Sequence, residues 1–130
     1  MAQVKIFSTN ENLQNNKMRI SDAIHKSLVE VFKLPEDKRF HRFFALNKDD
    51  FIFPSDRSAN YTIIELSIFE GRSTEAKKQL IRTIYVHLQN DVQISPNDIE
   101  ITLFETPREN WGIRGHNGDE LSLSYDVNIK

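Results

Sequence analysis

Residues 61–105, "YTIIELSIFEGRSTEAKKQLIRTIYVHLQNDVQISPNDIEITLFE", change hydrophobic period twice, and that double change decides the fold. In 61–69 the apolar residues Ile64, Leu66 and Ile68 fall on one face at period two, which predicts a strand. Over 74–90, Leu80, Ile84 and Leu88 recur at helical spacing, and 97–105 returns to a strand. A strand, a helix and a strand in that order make a βαβ unit.

Working outward, the preceding half of the chain carries the same signals. "QVKIF" (3–7) reads as a short strand. After a polar, Asn-rich loop, Ile20, Ala23, Ile24, Leu28, Val31 and Phe32 mark a helix that ends near Lys33, because Pro35 disfavours helical geometry at Leu34. "RFHRFFAL" (39–46) reads as the next strand, and 47–60 as a loop with a short hairpin around Phe51 to Phe53. Ile20, Ile24 and Leu28 match Leu80, Ile84 and Leu88 at a spacing of 60, whereas Pro35, Asp37 and Phe43 match Pro96, Asp98 and Phe104 at 61, a one-residue slip in the turn. The expected architecture is α+β: one domain over 1–130, built from two pseudo-symmetric βαβ halves, about 1–53 and 61–127.

Right-handed crossovers put both helices on one face of a single mixed sheet. That face should carry Val4, Ile6, Ile64, Leu66, Ile68, Ile99, Ile101 and Leu103. The opposite face carries Lys5, Phe7, Glu65, Ser67, Phe69, Glu100, Thr102 and Phe104, too mixed for a core and too aromatic for plain solvent, which points to contact with other subunits. "ELSLSYDV" (120–127) alternates cleanly and reads as a last strand at a sheet edge.

Composition narrows the function. Seventeen Lys and Arg against 19 Asp and Glu give a net charge of −2 without a block of like charge, so nothing here tracks nucleic acid or an anionic membrane. The absence of cysteine removes disulfides, zinc thiolates and thiol nucleophiles. No apolar run approaches the roughly 20 residues of a membrane span, and "MAQVKIFSTN" has no signal-peptide core, so a cytoplasmic protein is expected. His25, His41, His87 and His116 lack the spacing of metal ligands, so no metal is expected. Neither a nucleophile elbow nor a phosphate loop is present.

Two stretches remain as candidate chemistry. In "EGRST" (70–74), Gly71 serves a turn, Ser73 is positioned as a helix N-cap and Glu75 as a first-turn acid. Arg72 stands between a strand end and a helix start, where backbone N–H groups and the helix dipole favour an anion; it either clamps a carboxylate there or pairs with Glu70 or Glu75. The second stretch, "NWGIRGHNGDE" (110–120), holds the other three glycines, Trp111, Arg114 and His116. Its glycine spacing is not the dinucleotide fingerprint. Trp111 beside Arg114 either lines an apolar, acid-binding pocket or packs the loop onto the sheet.

Two βαβ halves, "IFEGRSTEAKKQL", "ISPNDIEITLFE" and "NWGIRG", with a first helix running into "VFKLPEDKRF", together resemble the tautomerase superfamily over nearly the whole chain, and most of all its branch similar to malonate semialdehyde decarboxylase. The resemblance implies a homotrimer packed sheet against sheet, no cofactor, and chemistry by an amino-terminal proline beside arginines that hold a substrate carboxylate. In this sequence Ala2 stands at the proline position, Glu70 at the first arginine, Arg72 at the second and Trp111 at the tryptophan. Lys38, next to Asp37, falls at the position of the branch's acid. With Met1 removed, Ala2 would offer a primary amine whose unperturbed pKa is about 7.7 to 8.0. The resemblance thus implies either a weak or altered tautomerase acting on a small 2-oxo or enol acid, with Ala2 as acid/base, Arg72 as clamp, and Trp111, Arg114 and Tyr125 as walls, or a trimeric binding or structural protein that kept only the anion pocket.

Overall fold

The computed structural model describes residues 2–123 and 125–129. Its main elements are β1 (Ala2–Thr9), α1 (Asn10–Phe32), β2 (His41–Leu46), β3 (Thr62–Phe69), α2 (Thr74–Val92) and β4 (Ile99–Thr106), followed by a two-residue ladder of β5 (Gly112–Ile113) and β6 (His116–Asn117). The four long strands form one mixed sheet in the order β2-β1-β3-β4. β1–β2 and β3–β4 are parallel, and β1 meets β3 antiparallel.

Both helices are set by the same devices. Thr9 caps α1 by accepting from the Asn12 N–H at 3.1 Å, and Ser73 caps α2 by accepting from Ala76 at 3.1 Å. Each helix ends on a left-handed residue, Lys33 (φ 57°) or Gln93 (φ 60°). The next N–H then reaches back six residues, Leu34 to the Leu28 carbonyl and Ile94 to that of Leu88, with Leu34 and Ile94 buried. The core lies between the helices and the sheet and contains Val4, Ile6, Ile64, Leu66, Ile68 and Ile99. Ile101 and Leu103 pack against it from the half-buried outer strand.

The two halves share one register. β1 pairs Ala2 with Ile68 and Ser8 with Thr62, so adding 60 to a β1 residue gives its β3 counterpart, and the axis passes through the facing pair Lys5 and Glu65. In the outer strands Ile6 faces Phe43 and Leu66 faces Leu103, so Phe43 corresponds to Leu103. The expected slip to 61 is therefore absent: helix ends and strands keep 60, and only the turns between them differ.

Three expectations change. The Asn-rich segment is not a loop, because α1 begins at Asn10; its side chains are mostly exposed and carry no apolar period, but Leu13 and Asn12 are buried. No hairpin forms around Phe51 to Phe53. Instead one turn of 3-10 helix (Lys48–Asp50) leads into a ring cluster, with Phe51 and Phe53 at 5.4 and 4.8 Å from Tyr61. The described residues of 120–127 form no strand, Ser124 lying outside them. Leu121, Leu123 and Tyr125 pack beside Val127 against Phe69, so the alternation marks burial without a ladder. Among the described residues no helix is long and apolar enough to cross a membrane.

Candidate active site

The site begins with the turn from β3 into α2. Gly71 takes φ 133°, and a Cβ on it would lie 2.8 Å from the Val127 carbonyl oxygen. The C-terminal segment is thus laid directly over this turn, and the Ser73 N–H donates to the Ile129 carbonyl at 2.7 Å. Beneath it Arg72 is only 5% exposed. Its Nη1 donates to the Phe69 carbonyl at 3.1 Å, and its guanidinium carbon lies 4.5 Å from the Phe32 ring centre.

Arg72 makes no ion pair with Glu70 or Glu75 among the described residues, and Glu75 pairs with Arg82 at 2.8 Å. Its Nε and Nη2 are buried with no hydrogen-bond partner among the described residues. Burial pushes its pKa down, opposed by the Tyr125 phenol and the carboxyls of Glu105 and Asp126. An unmet pair of buried donors is costly, and an incoming carboxylate would satisfy both.

The other half shows the contrast. Sixty residues earlier, Arg72 becomes Asn12 and Thr62 is the counterpart of Ala2. The Asn12 Nδ2 donates to Ser8 Oγ at 2.9 Å and to Thr62 Oγ1 at 3.2 Å, and Ser8 Oγ donates to the Tyr61 carbonyl at 2.7 Å. There the polar groups satisfy one another; around Arg72 they do not.

Beside this turn, at the start of β1, a pocket of about 230 Å³ opens, with Ala2, Lys38, Phe40, Arg114, Leu123 and Tyr125 among its walls. Parallel pairing explains two of them: the Val4 N–H donates to the Phe40 carbonyl at 2.9 Å, so the residues leading into β2 lie beside Ala2. Arg114 enters from the β5–β6 turn, where it (φ 51°) and Gly115 (φ 85°) both take left-handed geometry, as a two-residue hairpin turn of the favoured hand requires. Lys38 and Arg114 line the pocket, and among the described residues no carboxylate does. Tyr125 connects pocket and turn, since it lines the first and interacts electrostatically with Arg72 in the second. Its pKa is raised by burial, against the lowering pull of Arg72 and Arg108.

The structure therefore brings Ala2, Arg114 and Tyr125 to one cavity, with Arg72 buried outside its lining. Trp111 does not line it either. Its indole N–H donates to Thr106 Oγ1 at 2.6 Å and its ring meets Phe69 edge-on at 5.0 Å, which fastens the loop to the sheet. Phe40 and Leu123 are walls that the sequence reading did not name, and the parallel pairing of the first βαβ unit was the signal for Phe40. Lys38 lines the pocket and Asp37 does not. Among the described residues no group of three His, Cys, Asp or Glu side chains is arranged to hold a metal. His25 and His41 instead meet edge-on at 5.9 Å under α1, and burial, then His25 and Arg39, lower the pKa of His41 to about 4 against the raising pull of Asp22.

Comparison with known proteins gives a consistent result. The model of the family described as "Tautomerase enzyme" matches residues 38–114. The chain is 26% identical to "Probable tautomerase YusQ" of Bacillus subtilis (strain 168) over 98 residues, covering 72% of this chain and 77% of that protein. It is 33% identical to 2-hydroxymuconate tautomerase of Comamonas testosteroni over 57 residues, 44% of this chain and 90% of that one. Among solved structures it is similar to a malonate semialdehyde decarboxylase inhibited by 3-bromopropiolate (TM-score 0.80, 25% identity, 93% of this chain and 98% of that chain). It also shares its fold with a symmetric trimer of fused 4-OT (TM-score 0.77, 15% identity, 90% and 96% covered).

Proposed function

The chain belongs to the tautomerase enzyme family, and from that premise we propose that it transfers a proton on a small 2-oxo or enol carboxylic acid bound beside Ala2. The observation that carries this reading is Arg72, a buried guanidinium whose Nε and Nη2 have no hydrogen-bond partner among the described residues. With Met1 removed, the neutral Ala2 amine takes the proton of the enol hydroxyl and the resulting ammonium returns one to carbon, giving the ketone. Arg114 and Lys38 draw the carboxylate into the pocket, Arg72 secures it, and Tyr125 orients the oxygen. Decarboxylation is disfavoured, because Glu70 stands where the related decarboxylases carry a further arginine. The fused 4-OT trimer supports a homotrimer here, and the mixed, aromatic outer face of the sheet is the surface assigned to its contacts.

A second reading, a catalytically silent carboxylate binder, is favoured by Ala2 standing at the position of the amino-terminal proline and Glu70 at that of the first arginine. The two separate by experiment. Intact mass shows whether Met1 is gone, and loss of the enol absorbance of an aryl enolpyruvate follows ketonisation. Turnover that falls by about 100-fold or more in Arg72→Ala supports the enzyme, the scale of a lost charge-stabilising donor. Saturable carboxylate binding that needs Arg72, without turnover, supports the binder. If Arg72→Ala alters neither, both readings fail.

A further inference from the structure

The register of 60 extends beyond the strands. The one-turn 3-10 helix Lys48–Asp50 corresponds to Arg108–Asn110, and the residues that close them are Phe51 and Trp111. In the second half the space under this turn is filled. Phe69 is wholly buried there, Trp111 meets it edge-on, and the Arg108 guanidinium lies 5.5 Å from the Phe69 ring centre.

In the first half the counterpart of Phe69 is Thr9, which has no ring. Its hydroxyl is engaged, donating to the Ala59 carbonyl at 2.7 Å and accepting from Asn12. The counterpart of Trp111, Phe51, stacks away on Tyr61. What remains is a pocket of about 470 Å³ lined by Thr9, Leu46, Lys48, Phe51, Phe53 and Arg57, among others. That volume is in the range of small-molecule sites, about 300 to 1,000 Å³, and its walls are mainly apolar with a few polar groups.

We propose that this pocket is a second binding site, separate from the one beside Ala2, and that its ligand is a small planar aromatic molecule with an anionic substituent. The molecule's own second half shows what such a space accepts: a buried aromatic ring with a cation over its face. Lys48 stands in the place of Arg108 and makes no ion pair among the described residues. A ligand ring seated where Phe69 sits in the other half would meet Lys48 as Phe69 meets Arg108. A carboxylate substituent is assigned because Lys48 and the Arg57 Nε are wall donors without an ion pair or hydrogen bond among the described residues. Arg57 Nε is buried without a hydrogen-bond partner among the described residues, its other nitrogens being held by Asp56 and Glu100.

The test is an amide-resolved NMR titration of the full chain with indole-3-carboxylate and, as the non-aromatic control, cyclohexanecarboxylate. The expected result is saturable shifts confined to residues 9–11 and 46–59, with the cyclohexane acid binding more weakly. Lys48→Gln weakens indole-3-carboxylate by about 2- to 5-fold, the scale of one exposed cation–π contact. Thr9→Phe fills the space as the second half does and abolishes binding. Leu46→Trp fills it from the strand side without touching the α1 cap, and abolishes binding too if Thr9→Phe does not fold. Arg72→Ala leaves the titration unchanged, which separates this site from the proposed catalytic one. Absence of saturable shifts, shifts centred on Ala2 and Arg114, or undiminished binding in a folded filling variant each overturns the proposal.

Discussion

A single glycine determines how close the C-terminal segment comes to Arg72. At Gly71, φ 133° excludes ordinary side chains, and the nearest obstacle to a Cβ is backbone that cannot swing aside. Gly71→Ala is therefore expected to cost about 1 to 3 kcal/mol, read as a lower urea midpoint. The turn that holds Arg72 was legible because Gly, Ser and Glu sit at fixed offsets around it, and the structure gives Gly71, Ser73 and Glu75 the turn, cap and first-turn roles foreseen for them. That Arg72 has no ion pair among the described residues was not legible. Which side chain finds which depends on the segment that returns to cover the turn.

At the scale of elements, period was a sound guide where one face is buried and the other exposed. β3, α2 and β4 followed it closely. It missed the first turns of α1, where Asn12 is buried through polar bonds to Ser8 and Thr62 that no hydropathy pattern registers. It mistook the C-terminal segment for a strand, since alternate residues can be buried against a loop as well as in a ladder. The contact of α1 with β2 carries a pH dependence. His41 faces Ser21, with His25, Asp22 and Arg39 around it, and is held neutral, with its pKa lowered to about 4. The unfolded chain binds a proton there near 6.5, so this contribution to stability is complete above that pH and declines as pH falls towards 4. Thermal unfolding between pH 7 and 4 should show a shallower acid decline in His41→Gln than in the wild type.

The whole molecule leaves a surface unaccounted for in one chain. On the outer face of the sheet Phe7 stacks on Phe44 at 4.6 Å, and Phe104 remains 48% exposed. If three copies close over this face, Phe104→Glu should convert a three-chain species to single chains in sedimentation velocity, with the helical circular dichroism retained. A wild type that sediments as one chain would end the trimer proposal.

The axis between the halves has a consequence for ancestry. Lys5 and Glu65 face each other across it, so in a pair of identical half-length chains this position would oppose its own copy, like charge against like. Joining the halves in one polypeptide lifts that constraint and lets the central pair be complementary. The same freedom lets Arg72 exist on one side only, with Asn12 tied into the structure on the other. Two halves in one polypeptide can thus differ in use, one keeping a buried guanidinium open among the described residues while its twin keeps the scaffold closed.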